Sequence, residues 1–157
     1  MVEVGICISN MNWKEYFRNI AHQVKLKSKD EKTQIGAVIV GTDYEIVSTG
    51  YNSFPRGIDD SVAERQERPE KYYLFEHAER NAIYNAARIG AITKGCTIYP
   101  TCGTPCCDCA RGIINAGISK VYLEPGKAGA KSPHWDEHTV RSLQMFKEAG
   151  IEVEYYE

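Results

Sequence analysis

Short apolar runs alternate with segments of helical periodicity from residue 96 to the end of the chain. We predict strands here at 96–99, 120–123 and 151–155, and helices at 105–117 and 137–149. Each of the last two strands follows a segment long enough for a full helix, and such a crossover within one sheet is almost always right-handed. The alternation therefore predicts a largely parallel arrangement of these strands, with helices covering both faces of the sheet.

The N-terminal part of the chain has a different pattern. Apolar residues recur at helical spacing from Trp13 to Val24, and Asn12 stands where the N-cap of that helix would be. Two β-branched runs follow, at 35–40 and 45–51, with only a short polar link between them. Such a pair predicts an antiparallel β-hairpin.

Residues 53–72 are rich in charge, proline and glycine, and we expect a functional loop with some helix there. A further helix is predicted at about 77–88. The complete order predicts an α/β protein of three α/β/α layers around a five-stranded mixed sheet, with an N-terminal antiparallel hairpin and later parallel strands. We expect a single domain, 1–157, because this length suits one compact core.

Charge and hydropathy limit the partners. The formal net charge is -2 and the pI is about 6.1, whereas a protein that grips a long nucleic acid usually carries a basic surplus. No apolar run approaches the roughly 20 residues of a membrane span. Residues 1–9 have no basic leader and no small-residue cleavage site. We therefore expect a cytoplasmic protein (in the host cytoplasm if it is phage-encoded) that acts on a small molecule.

The cysteines are unevenly distributed. The chain has six, and three of them lie at positions 106, 107 and 109. Such a cluster is more typical of metal ligation in a reducing compartment than of a disulfide framework. His77 and Cys106 each open a predicted helix, and Cys109 lies one turn after Cys106, so the three side chains can reach one ion. Imidazole and thiolate together favour zinc, and three protein ligands leave its fourth position open for water.

Glu79 follows His77 by two residues and is the predicted catalytic residue, a proton shuttle from the attacking water to a leaving group. Two alternatives remain open at this point. Cys102 could complete a closed, structural Cys₃His site. The Cys-x-x-Cys pair could instead be a redox centre, although that would leave His77 without a role.

The pattern His-x-Glu followed by Pro-Cys-x-x-Cys resembles the signature of zinc-dependent nucleobase deaminases, here at residues 77–79 and 105–109. The chain is similar to deoxycytidylate deaminases over residues 12–124, in four segments at 27–37, 50–57, 77–83 and 106–110. The resemblance implies a cytidine-deaminase-like fold and hydrolysis of dCMP to dUMP and ammonia, which would feed thymidylate synthesis.

The same resemblance implies substrate contacts. Asn52 would bind the sugar 3′-hydroxyl, while Ala37 and Ala78 would form a flat wall beside the pyrimidine ring. A 5′-phosphate requires cations. Our candidates for that role are Lys27 and Lys29 before the first strand, Arg56 in the long loop, Arg88 on the helix at 77–88, and Lys127 or Lys131 in the late loop.

Members of this family are often hexamers that dCTP activates and dTTP inhibits through a magnesium-bound triphosphate. By resemblance, the effector site would involve Lys27, Ser28, Tyr51, Asn52 and Arg56. The chain departs from the usual pattern at Ser53, where the family has glycine, and at 101–105, which is one residue longer. Deamination of a nucleoside or of tRNA adenosine, and a non-catalytic zinc module, are the competing interpretations.

Overall fold

A computed structural model describes residues 10–125 and 133–157, which form five strands and five α-helices. The strands are β1 (Gly36–Val40), β2 (Ile46–Tyr51), β3 (Thr97–Pro100), β4 (Lys120–Leu123) and β5 (Glu152–Tyr155). The helices are α1 (Trp13–Val24), α2 (Glu70–Leu74), α3 (Ala78–Arg88), α4 (Cys107–Asn115) and α5 (Pro133–Glu148). Two 3₁₀ turns, Lys25–Lys27 and Ala63–Gln66, lie in the connections.

The five strands form one sheet in the order β2-β1-β3-β4-β5. β1 is antiparallel to both of its neighbours, and β3, β4 and β5 run parallel. The predicted hairpin and the predicted parallel strands are therefore both confirmed. The long segment after the hairpin contains one 3₁₀ turn and α2, as expected of a loop with some helix.

Helices cover both faces of the sheet. On one face, Phe17 and Ala21 of α1 pack against Val38 and Tyr99. On the other face, α3, α4 and α5 contribute Ala82, Ile113 and Phe146 to a core that also includes alternate residues of the strands. All five residues of β1 are buried, because this inner strand lies between β2 and β3 and has both faces covered. The three-layer α/β/α prediction is confirmed.

Local features fix the start of α1 and the position of α3, the helix that carries Glu79. The Asn12 side chain accepts a hydrogen bond from the Glu15 N–H at 2.8 Å, so this residue caps α1 as predicted. α3 packs closely on β2 at Gly50, where an added Cβ would lie 2.3 Å from the Ala82 nitrogen and 2.4 Å from the Ala78 carbonyl oxygen. Glycine at position 50 is therefore required for α3 to approach the sheet.

In the described part of the chain, no helix is both long and apolar enough to cross a membrane.

Candidate metal and nucleotide site

The N-termini of α3 and α4 meet beside the sheet. His77 is the residue before the first turn of α3, and Cys106 is the residue before the first turn of α4. The Nδ1 atom of His77 lies 3.4 Å from the sulfur of Cys106 and 3.4 Å from that of Cys109. All three possible ligand atoms lie within 4.8 Å of one another, so one ion can contact them all.

The electrostatics of this cluster suit a cation. A hydrogen bond from the Cys109 thiol, together with His77, lowers the pKa of Cys106 to about 4 against the effect of burial. The hydrogen bond to Cys106 raises the pKa of His77 to about 9. The same sulfur–sulfur hydrogen bond and burial raise the pKa of Cys109 well above its usual value. Shared protons thus hold the three side chains together. A metal ion would bind the same nitrogen and sulfur atoms by displacing these protons.

The donor set also identifies the kind of metal. One imidazole nitrogen and two sulfurs are the ligand types that zinc binds, in sites where four ligands surround the ion tetrahedrally. Each of the two helix N-termini presents backbone N–H groups that favour negative sulfur. The residues present therefore fit zinc with one position left for a small ligand.

Glu79 lies in the first turn of α3 and is only 3% exposed. Its Oε1 atom accepts a hydrogen bond from the Cys102 thiol at 3.4 Å. Burial and the neighbouring Glu79 carboxylate raise the pKa of Cys102 well above its usual value, which keeps the thiol in its protonated, donating form. Within the described residues, the group of ligand atoms comprises His77, Cys106 and Cys109, and Cys102 lies outside it. The closed Cys₃His alternative is not the arrangement found.

A cavity of about 880 Å³ opens beside this cluster. His77, Ala78, Glu79 and Cys106 line one part of it, together with the residues 101–104 that precede Pro105. Four basic residues also line it, Lys25, Lys32, Arg68 and Lys71, together with the carboxylates of Asp30 and Glu67. The cavity therefore offers both the candidate metal cluster and cationic side chains to a ligand.

Asn52 also lines the cavity, but its side chain already has four partners. Its oxygen accepts hydrogen bonds from the Ser28 hydroxyl at 2.6 Å and from the Ile35 N–H at 2.8 Å. Its nitrogen donates to the Thr33 carbonyl at 2.8 Å and to the Asp30 carboxylate at 3.3 Å. The side chain thus ties the 28–35 segment to the end of β2, and a contact with a sugar hydroxyl stays a prediction.

The remaining predicted substrate residues are dispersed. Ala37 and Ala78 are both fully buried in the same core, and of the two only Ala78 also lines the cavity. Lys29 is absent from the cavity lining and its ammonium pairs with Asp60 at 3.0 Å. Arg88 is the last residue of α3, which places it about 15 Å along the helix from the site. Lys127 and Lys131 fall outside the described residues.

The structure does not bring the predicted effector residues to the cavity, apart from Asn52. Arg56 donates to the Asn85 side-chain oxygen at 2.7 Å on the outer side of α3. The Tyr51 carbonyl accepts a hydrogen bond from Asn81, and Ser28 donates to Asn52. Lys27 ends the 3₁₀ turn that follows α1.

Sequence reasoning missed the cations that do line the cavity. Lys25 precedes the 28–35 segment that Asn52 organises and Lys32 lies within it, while Arg68 belongs to the long loop and Lys71 to α2. The Lys71 ammonium lies 2.7 Å from the Asp30 carboxylate, and the Arg68 guanidinium lies 5.1 Å from the ring centre of Tyr72. No local pattern separates these residues from the other basic residues of the chain.

Comparison with known proteins gives a consistent picture. The chain is 43% identical over 141 residues to a protein of Aliivibrio fischeri described as an uncharacterized deaminase in the luxG 3′ region, covering 90% of this chain and 91% of that protein. It is 38% identical over 146 residues to mouse deoxycytidylate deaminase, covering 90% of this chain and 78% of the mouse protein.

A crystal structure of dCMP deaminase from the cyanophage S-TIM5 has the same fold, with a TM-score of 0.69. It shares 24% sequence identity, and the match covers 91% of this chain and 96% of the cyanophage chain. The sequence profile of the cytidine and deoxycytidylate deaminase zinc-binding region matches residues 11–124, the part that contains His77, Glu79, Cys106 and Cys109. The chain therefore belongs to the family of cytidine and deoxycytidylate deaminases, as a zinc-dependent deaminase.

Proposed function

We propose that the protein hydrolyses dCMP to dUMP and ammonia. The observation that carries this proposal is the buried Glu79 carboxylate, which lines the same cavity as His77 and Cys106 of the His77, Cys106 and Cys109 cluster and as four basic residues. The similarity of the chain to mouse deoxycytidylate deaminase supports the choice of substrate.

His77, Cys106 and Cys109 would hold the zinc ion. Zinc in such a site supplies the nucleophile, because it lowers the pKa of water towards about 7. Glu79 would move both protons of the water: it accepts the first and delivers it to the ring nitrogen, and it then accepts the second from the oxygen now bonded to the ring carbon and delivers it to the departing amine. The exocyclic amino group leaves as ammonia, and the ring carbon keeps the water oxygen as a carbonyl.

Two parts of the cavity wall would orient the base. Ala78 has a small side chain between the zinc ligand His77 and Glu79, so a flat ring can approach both. The segment 28–35 is held rigidly by Asn52 and provides Thr33, Gln34 and Ile35 on the opposite part of the lining. A rigid wall lowers the entropic cost of placing the substrate amino group close to Glu79.

We assign the 5′-phosphate to the basic part of the cavity, with Arg68 as its principal contact. Lys71 is already paired with Asp30, and Lys32 with Glu67 at 3.2 Å. Among the described residues, Arg68 has no carboxylate partner and stacks only on Tyr72. A planar guanidinium is also the side chain best suited to bind two phosphate oxygens at once.

Ammonia release from dCMP, deoxycytidine, dCTP and CMP by zinc-loaded protein tests the substrate. Selective turnover of dCMP is the expected result. Turnover of deoxycytidine alone would show that the basic residues serve another purpose and would favour a nucleoside deaminase. Activity on none of the four would refute the assignment of a cytosine substrate.

The resemblance also leads us to propose regulation. We infer a homohexamer that dCTP activates and dTTP inhibits, each as a magnesium-bound triphosphate. The residues near the effector would be Lys27, Ser28, Tyr51, Asn52 and Arg56. The product dUMP would serve thymidylate synthesis. Light scattering gives the oligomer mass, and initial rates with dCTP or dTTP plus Mg²⁺ test the response. A monomer whose rates do not change with either triphosphate would contradict this proposal.

A further inference from the structure

The start of helix α4 positions both sulfur atoms of the candidate metal centre, and the first backbone N–H groups of the helix need acceptors. Cys106 precedes the helix and Cys109 lies in its first turn. The N–H of Cys107, the first helical residue, has no acceptor within the helix, since the first N–H groups of any α-helix lack one. How this turn is held therefore affects where both sulfurs lie.

The acceptor comes from a different helix. The N–H of Cys107 donates to Nδ1 of His138, on α5, at 3.1 Å. Two sulfur contacts reinforce the same junction: the Cys107 sulfur lies 3.8 Å from the His138 carbonyl oxygen and 3.9 Å from the Ser142 hydroxyl. α5 thus contacts the start of α4 beside the residue that provides a metal ligand.

We propose that His138 is a positioning residue of the metal centre. Its Nδ1 atom caps α4 from outside, which leaves the Cys106 sulfur available to the metal and fixes the first turn that sets the spacing between Cys106 and Cys109. The role assigned to the ring is that of a hydrogen-bond acceptor through Nδ1. This inference rests on the proposed zinc ligands and is independent of the substrate.

If His138 only filled space against α4, its effect would depend on the ring and not on the hydrogen bond. Replacement by asparagine distinguishes these two roles. The side-chain oxygen of asparagine is three bonds from Cα, as Nδ1 of histidine is, so it can accept the same N–H. His138→Asn therefore keeps the acceptor and loses most of the ring, whereas His138→Ala loses both. Val140→Ala is a matched control, because Val140 lies on the same helix with 66% of its surface exposed.

The experiment is a zinc competition titration with a chromogenic chelator of known affinity, on the full chain and under reducing conditions. We expect His138→Ala to weaken zinc binding about tenfold, the lower end of what loss of an outer hydrogen bond to a metal site costs. His138→Asn should bind zinc nearly as tightly as the wild type, and Val140→Ala should be unchanged. Wild-type affinity in His138→Ala, or equal loss in the alanine and asparagine variants, would overturn the proposal.

Amide hydrogen exchange in the zinc-free protein provides a second readout that does not depend on metal loading. The Cys107 amide should be protected in the wild type and in His138→Asn, and should exchange faster in His138→Ala. Equal exchange in all three proteins would also overturn the proposal. Wild-type protein that binds zinc but does not turn over dCMP would refute the proposed substrate alone, because neither readout involves a nucleotide.

Discussion

The thiol of Cys102 donates a hydrogen bond to the buried carboxylate of Glu79 at 3.4 Å. The backbone around this thiol is anchored on two sides. The Thr101 N–H donates to the Gly36 carbonyl at 2.8 Å, and the Glu124 N–H donates to the Cys102 carbonyl at 3.2 Å. The loop that carries Cys102 thus provides a fixed contact for the proposed proton shuttle.

Replacing Cys102 tests whether this contact orients Glu79. We expect Cys102→Ala to keep one zinc per chain and to lower kcat by about tenfold, because a hydrogen bond to a charged group is worth roughly 1.5 kcal/mol or more. Cys102→Ser keeps a donor and should recover part of the rate. Zinc content by atomic absorption and kcat for dCMP are the measurements. Loss of zinc from Cys102→Ala would instead make this sulfur a ligand.

Glu79→Gln removes the proton acceptor but preserves the shape of the side chain. General acid–base groups contribute about 10²–10⁴-fold to rates, so we expect kcat to fall by at least about 100-fold while zinc content and melting temperature change little. Steady-state kinetics with dCMP measures the effect. A variant with near-normal kcat would remove Glu79 from the mechanism.

Arg68→Ala tests the phosphate assignment. Loss of a charge-assisted hydrogen bond costs about 1.5–3 kcal/mol, so KM for dCMP should rise roughly 10- to 100-fold. Activity on deoxycytidine, which has no phosphate, should not change. Arg88→Ala is the matched control, because that arginine lies at the far end of α3 and should leave KM unaltered. A reversed result for the two arginines would contradict the assignment.

Glu124 should make folding sensitive to acid. This carboxylate is 3% exposed, and it accepts hydrogen bonds from both Arg18 and His22, at 2.8 Å from the Arg18 Nε and 2.9 Å from the His22 Nε2. Burial acts to raise its pKa, but these hydrogen bonds outweigh burial and hold the pKa below its ordinary value of 4.5.

A lowered pKa in the folded state means that the ionised form of Glu124 stabilises folding above pH 4.5 and that this contribution is lost as pH falls through the folded pKa. Glu124→Gln should reduce the free energy of unfolding by about 1.5–3 kcal/mol at pH 7, and by less in acid. Urea titrations of zinc-free protein at several pH values measure this. Glu152→Gln, which loses only an exposed ion pair with Lys120, should cost less than about 1 kcal/mol. A Glu124→Gln deficit that did not shrink in acid would contradict the linkage.

Much of the fold could be predicted because its signals are local. The helical spacing of α1, the β-branched runs of β1 and β2, and the alternation that follows each depend on neighbours in the chain. The residue types of the site were also readable, because metal ligation requires specific side chains at short spacings. His77, Cys106 and Cys109 do lie together, with Glu79 beside them in the cavity lining.

Tertiary structure alone decided the rest, because it depends on where distant segments meet. Cys102 faces Glu79 instead of the metal ligands, since its loop is anchored by β1 and by the residue after β4. Arg68 reaches the cavity from a long loop, while Arg88 lies at the wrong end of a rigid helix. His138 meets Cys107, 31 residues earlier in the chain, where α5 contacts the start of α4. The sequence by itself thus determined which chemistry the chain carries, and the packing of the helices and loops decided which side chains support it.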